Sequence, residues 1–243
     1  VETLQKYGSD KPDLRIPMEL ISMDDLMQSV DFKVFRDPAD EPQSRVAALK
    51  VPGGAQFSRK DIDDLTEYVS SFGAKGLAWI KVNDLSAGVQ GLQSPIVKFM
   101  PDHVISEMLL RLGAENGDII FFGAGVSDVV NESLGALRVK VAELLDLIEE
   151  GWKPLWVIDF PMFERSNGSL SALHHPFTAP DCSLGELIES PEKACSQAYD
   201  MVLNGTELGG GSIRIHDKKV QEAVLQLIGF EAKDAEEKFG FLL

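Results

Sequence analysis

The sequence is poor in several things, and each shortage removes a class of explanation. It holds only two cysteines, Cys182 and Cys195, in 243 residues. That is too few for a disulfide framework, and their spacing fits no CxxC metal site; they read as reduced thiols of a cytoplasmic protein. Positive charge is scarce: 23 Lys and Arg stand against 39 Asp and Glu, a formal charge of −16. Such a field repels nucleic acid and anionic membrane, so any contact with RNA has to come from a local patch or from parts not present here. No apolar run approaches the roughly 20 residues that span a bilayer. Val1–Gln5 has neither the basic stretch nor the apolar core of a signal peptide. There is no internal repeat and no low-complexity tract.

What remains is ordinary for a globular protein. Hydrophobic residues make up 44% and charged residues 26%, which excludes extended disorder of the whole chain. The length suffices for one large domain or two small ones with a real core. Residues 1–16 are polar and rich in turn formers. From residue 17 to 153, strand-like and helix-like segments alternate as β-α-β-β-α-β-α. Arg45–Val51 reads as a strand stopped by Pro52-Gly53-Gly54. Ser58 and Asp61 form a capping-box variant before Ile62, Leu65 and Val69. Leu77–Val82, Pro95–Met100 and Asp118–Phe122 read as strands, with a helix from Pro101 to Gly113 between the last two. Ser127 caps a long helix whose Val130, Leu134, Leu137, Val141, Leu144 and Ile148 form a core-facing stripe. The one histidine of this region, His103, reads as a surface or packing residue.

Residues 154–243 differ. Leu155–Phe160 is a continuous apolar run, as in a strand buried on both faces. Ser183–Ser190, Pro191–Leu203, Asp217–Leu227 and Ala232–Phe239 read as helices, and Glu207–Ile215 as a strand around three glycines. Three clusters here carry chemical groups. His174-His175 precedes a proline; the pair reads as a turn with one stacked ring, as a polar contact to a small ligand, or as half of a zinc site lacking its other ligands. Asp200 and Glu207 form either a solvated pair or the few protein oxygens that Mg²⁺ takes alongside phosphate. The Gly209-Gly210-Gly211 run marks either close approach of a ligand to backbone or a flexible loop. Arg214 beyond it suits bidentate capture of a carboxylate. In an unbulged strand Glu207 and Arg214 face opposite ways, and a glycine bulge restores a common face.

These clusters carry a resemblance. YGSDKPDLR (Tyr7–Arg15), LWVIDFPMFE (Leu155–Glu164), HHPFTAP (His174–Pro180), AYDMVLNG (Ala198–Gly205) and ELGGGSIRIH (Glu207–His216) resemble bacterial-type aspartyl-tRNA synthetase, a class II aminoacyl-tRNA synthetase. KFGFLL (Lys238–Leu243) is similar to the segment leading into that family's third class II motif. VAALKVPGG, AKGLAWIKV, SPIVKF and DIIFFGAG in the middle are similar to its GAD insertion domain. The resemblance runs in order over essentially the whole chain. It implies an α+β protein: a GAD insertion domain (17–153, a sheet with covering helices) and a partial antiparallel catalytic core contributed by 1–16 and 154–243.

The family's anticodon-binding domain, its first two class II motifs with the fRxE arginine, and the GLDR arginine of the third have no counterpart here. The expectation is therefore an internal piece of an aspartate–tRNA ligase, inactive in isolation. The resemblance implies an enzyme that uses ATP and Mg²⁺ to form aspartyl-adenylate, passes aspartate to tRNA, works in the cytoplasm as a homodimer and needs no membrane. By motif, His174 and Arg214 correspond to aspartate-binding residues, and Glu207 and Asp200 to residues on the ATP and magnesium side. The other reading is a stand-alone GAD-type interaction or tRNA-binding module without ligase activity; the −16 charge and the flanking aspartate-type motifs oppose it.

Overall fold

The computed structural model describes residues 2–166, 168–231, 233 and 237. The chain divides into two compact units, residues 2–153 and residues from 154 onward.

The first unit contains α1 (Glu2–Tyr7), β1 (Leu20–Ser22), α2 (Asp24–Met27), α3 (Lys33–Asp40), β2 (Ser44–Val51), α4 (Arg59–Ser70), β3 (Ala78–Val82), β4 (Leu92–Gln93), α5 (Asp102–Leu112), β5 (Ile119–Val126) and α6 (Ser127–Leu144). Its five strands form one antiparallel sheet in the order β1-β2-β5-β3-β4. Helices cover both faces, and the alternation along β2 and β5 shows why. Ala47, Leu49, Val51, Ile119 and Phe121 pack with Ile62, Leu65 and Val69 of α4 and Val130, Leu134, Leu137 and Val141 of α6. The intervening Val46, Ala48, Ile120 and Phe122 pack with Met27 of α2, Phe35 of α3 and Val104, Ile105 and Met108 of α5. A strand with two apolar faces needs two covering layers.

The local signals act as their chemistry dictates. Ser58 N–H donates to the Asp61 carboxylate at 2.7 Å, and Asp61 N–H donates back to Ser58 Oγ at 3.2 Å, which holds the start of α4. Gly113, at φ 53°, closes α5 in the left-handed conformation. Three expectations change. Ser127 is the first residue of α6, not its cap. The α6 stripe ends at Val141, because Leu144 is exposed and Ile148 lies beyond the helix. Pro95–Met100 holds a 3₁₀ turn over Val97–Phe99 rather than a strand, since Pro95 and the single short turn leave no run to pair. Sequence pattern leaves β1, α2 and α3 unmarked. These elements have three, four and eight residues, and α3 carries Pro38 inside it, too little for a periodic signal.

Residues 2–16, set apart in sequence as a catalytic-core segment, belong to this first unit. Two buried arginines tie them down. Arg138 of α6 is 1% exposed; its guanidinium donates to Met18 O at 2.6 Å, Ile16 O at 2.7 Å and Asp13 O at 2.9 Å, and lies over the Tyr7 ring at 5.0 Å. Arg45 of β2 donates to Gln5 O at 3.3 Å and to Asn131 Oδ1 at 2.6 Å. Gly8, at φ +67°, presses on Gly135 of α6 so closely that a Cβ on Gly135 would stand 2.7 Å from Gly8 O.

The second unit contains β6 (Pro154–Pro161), β7 (Phe163–Ser166), β8 (Ser169–Ala172), α7 (Leu184–Glu189), β9 (Cys195–Leu203), β10 (Thr206–Ser212) and α8 (Lys218–Leu227). β10-β9-β6 make an antiparallel sheet, and β7 and β8 make a hairpin. The expected helix over Pro191–Leu203 is instead a 3₁₀ turn (Pro191–Lys193) followed by β9. Ala194, Ala198 and Val202 recur every four residues, a spacing that serves a helix face and a strand face equally. Nor is β6 buried on both faces: Val157 is 5% exposed, but Trp156 and Ile158 are 61% and 56% exposed. The expected helix over 232–239 lies outside the described residues except Lys233 and Glu237. Taken together, the described architecture is α+β with antiparallel sheets.

Arg138→Met should strip three buried carbonyls of their donor and lower the stability of the first unit by about 3 kcal/mol. Urea unfolding followed by tryptophan fluorescence of Trp79 checks this. An unchanged midpoint would show that the guanidinium does not hold residues 13–18.

Candidate functional site

The second unit gathers the chemical residues by three devices. The first is a hairpin. Asn204 and Gly205 both take positive φ, 50° and 80°, and Leu203 pairs with Thr206 across them. This two-residue Asn-Gly turn sets the register of β9 against β10.

The second device is a bulge. Glu207 pairs with Val202, but Gly209 pairs with Met201, so Leu208 is an extra residue. From there Gly210 opposes Asp200 and Ser212 opposes Ala198. The extra residue reverses the alternation, placing Glu207, Gly210 and Ser212 on the face that carries Asp200 and Val202. Continued past the strand end, the same alternation brings Arg214 to that face. A bulge therefore stands between Glu207 and Arg214, but its extra residue is Leu208, just before the glycine run, rather than a glycine.

Third, the segment after the histidines runs along the end of β10. Ala179 N donates to Ile213 O at 2.8 Å, Ile215 N donates to Phe177 O at 2.9 Å, and Thr178 opposes Arg214 in an antiparallel bridge. The buried Thr178 hydroxyl meets Ser212 Oγ at 3.3 Å. On its other side the segment is tied to β9, with Gln197 N donating to Ala179 O at 2.8 Å and Gln197 Nε2 to Pro180 O at 2.9 Å. Two motifs some 30 residues apart in sequence thus become neighbours.

Each expected residue now has a place. Asp200 lies in β9 rather than late in a helix. Its carboxylate covers Gly210, where a Cβ would stand 2.0 Å from Asp200 Oδ1 and 3.0 Å from Tyr199 O unless Asp200 turned aside. Asp200 and Glu207 are diagonal neighbours, a relation that spans about 7–8 Å between Cα atoms, with Glu207 exposed. Arg214 is exposed and has no acidic partner among the described residues. His174 packs edge-on against Phe160, ring centroids 4.7 Å apart, and Phe160 lies in the small cluster with Val157, Ala198 and Val202.

The motif resemblance gives a role to His174 alone of the pair, yet His175 is the histidine that senses Arg214. Its Nδ1 accepts from Phe177 N at 3.2 Å, so the proton of the neutral ring is on Nε2. Burial, and then the Arg214 charge, hold its pKa below the ordinary histidine value. Sequence pattern leaves Thr178, Ser212 and Gln197 unmarked. The Asn204-Gly205 dipeptide, read as a hairpin turn, is the signal that would have paired the strands carrying Gln197 and Ser212. Among the described residues no group of three or more His, Cys, Asp or Glu side chains converges to hold a metal ion, and no helix is long and apolar enough to cross a membrane.

Residues 35–134 match the GAD domain. The GAD match begins at Phe35 in α3 and ends at Leu134 in α6, inside the first unit. It includes β2, β3, β4 and β5. GAD domains occur in aminoacyl-tRNA synthetases, so the match supports a synthetase-related module of ligase-related origin. His174, Asp200, Glu207 and Arg214 all lie outside the matched GAD residues.

The Arg214 charge should be legible in the titration of His175. Arg214→Gln should move the His175 pKa upward, measured from its ring proton shifts by NMR. A folded-state pKa below the free value of about 6.5 means that the unfolded chain binds the proton first. The contribution of neutral His175 to stability is therefore present above that pH and is lost as pH falls through it. No movement of His175 in the variant would separate the two side chains.

Proposed function

We propose that residues 154–216 carry the aspartate- and ATP-facing part of an aspartate–tRNA ligase, whose reaction forms aspartyl-adenylate and then transfers aspartate to the 3′ end of tRNA. The observation that carries this reading is the bulged β10, which aligns Asp200, Glu207 and an acid-free Arg214 on one face. It joins the motif resemblance of the second unit to the GAD match of the first.

Each group has a task in that reaction. The planar guanidinium of Arg214 pairs two donors with the side-chain carboxylate of aspartate. Asparagine offers one acceptor oxygen and an NH₂ that opposes a donor, so the same fork rejects it. His174 lines the aspartate side, and neutral His175 adds a polar contact without a second positive charge. Asp200 and Glu207 supply the carboxylate oxygens on which a magnesium ion with bound ATP would rest; few protein oxygens suit that ion, because phosphate oxygens and water fill its shell. When bound, magnesium supplies neutralisation of phosphate charge. The substrate's α-carboxylate attacks the α-phosphorus, the bond to the bridging oxygen breaks, and pyrophosphate leaves. Gly209, where a Cβ would meet nothing within 4 Å, leaves bare backbone that the nucleotide can approach closely.

The test is aspartate-dependent exchange of pyrophosphate into ATP by the full natural polypeptide that contains these residues. Arg214→Gln should lower kcat/KM for aspartate by about a hundredfold, the loss of a charge-assisted, two-pronged contact. Arg214→Lys should recover only part of it. Exchange that is independent of aspartate, or indifferent to both substitutions, would remove the proposal.

A further inference from the structure

The sheet of the first unit has a missing rung. Along β5, Ser127 N just beyond the strand bonds to Gln43 O on the β2 side, while Asp118 O at the other end accepts from Val82 N on the β3 side. Backbone groups alternate sides along an antiparallel strand, so the even-numbered residues of β5 face β3. The β3 ladder runs from Lys81↔Ile119 to Ala78↔Phe122 and stops. The next rung would join Ala124 to Gly76. Instead the chain over 73–77 departs, with Gly73 N and Ala74 N turned back to Ser70 O and Val69 O. β2 continues to pair with β5 as far as Ser44↔Val126. Residues 123–126 therefore expose one edge of a strand that is fully paired on the other.

A cavity of about 480 Å³ opens along this edge. Val69, Leu77, Val129 and Leu134 give it an apolar floor, and Lys33 and Lys75 are the only charged residues lining it. Both lysines are exposed, and neither has an acidic partner among the described residues. In a chain with 39 acids and 23 bases, an acid-free cleft flanked by two unpaired lysines is a local reversal of the prevailing charge.

We propose that this cleft binds an extended acidic peptide segment of a partner protein, which adds as a strand to the 123–126 edge of β5. Its backbone takes the rung that β3 leaves vacant, its apolar side chains fill the floor, and its carboxylates meet Lys33 and Lys75. Strand addition draws affinity from main-chain hydrogen bonds and specificity from pockets for alternate side chains. The apolar floor and the open backbone edge favour a peptide over a nucleic acid, whose phosphates would use only the lysines.

The experiment uses the full chain and a fluorescent heptapeptide that alternates valine with glutamate, with an alternating valine–lysine peptide as control. The acidic peptide should bind and slow amide exchange at Ala124. The double variant Lys33→Glu, Lys75→Glu should weaken binding by about tenfold, and Ala124→Pro, which deletes the edge donor, should weaken it as well. Absence of binding, equal binding of the lysine peptide, or indifference to the lysine variant would overturn the proposal. So would a uridine oligonucleotide that protects the Ala124 amide in the peptide's place. If Ala124→Pro fails to fold, the two exposed lysines carry the test alone.

Discussion

Leu208 is the extra residue of a bulge that inverts the pleat of β10 between Glu207 and Gly209. A strand has a side-chain period of two, so seven steps from Glu207 to Arg214 would otherwise send the carboxylate and the guanidinium to opposite faces. One inserted residue changes the parity. Once it does, Asp200, Glu207, Ser212 and Arg214 share a surface, and the segment from Phe177 to Ala179 docks against its end. The glycines follow from the same constraint. Gly210 has no room for a Cβ unless Asp200 turns aside, and at Gly211 a Cβ would press on the Tyr199 ring from the other face.

The first unit answers to a different constraint, the burial of Arg138. A guanidinium 1% exposed is costly unless its donors are met, and no carboxylate meets them. Three backbone carbonyls from residues 13–18 do so, with the Tyr7 ring above. Backbone carbonyls in an irregular segment have no strand or helix to satisfy them, so the arginine and the segment solve each other's problem. This explains how the turn-rich stretch around Pro12 holds a defined path without secondary structure. It also explains why residues 2–16 join the unit whose helix supplies the arginine.

Sequence patterning was sufficient where a signal was long or chemically specific. The capping box at Ser58 and Asp61, the apolar face of α4, the glycine stop of α5 and the stripe of α6 up to Val141 all follow from short-range rules. The bulge is only half legible: the odd spacing of Glu207 and Arg214 leaves opposite faces or a bulge open, and the extra residue is Leu208 rather than a glycine. The misreadings share one cause, that local pattern underdetermines tertiary partnership. Cys195–Leu203 repeats small apolar residues every four positions and becomes a strand because β6 and β10 flank it. Trp156 and Ile158 look like core residues, yet they lie on the open face of β6. The histidine pair shows the limit most clearly. Sequence motif favoured His174, whereas the chain path around Pro176 brings His175 under the influence of Arg214, a consequence of three-dimensional neighbours that no spacing encodes.

Charge ties the two proposed binding places together. A chain at −16 repels an anionic ligand at long range, so recognition of a carboxylate or phosphate has to be arranged within a few ångströms. The abundance of acids makes this harder, since any exposed cation has many internal partners available. Several arginines here are so engaged: Arg111 with Asp25, Arg59 with Asp63, Arg15 with Asp13. Arg214, Lys33 and Lys75 are not, and each lies beside backbone stripped of side chains, Gly209–Gly211 in one case and Gly73, Gly76, Gly123 and Gly125 in the other. Glycine removes the steric barrier to the peptide backbone, and keeping acids away preserves the cation for an incoming partner. An unpaired cation over bared backbone thus marks, in an acidic protein, where an anion can be received, and it separates these three side chains from the many charges that only solvate the surface.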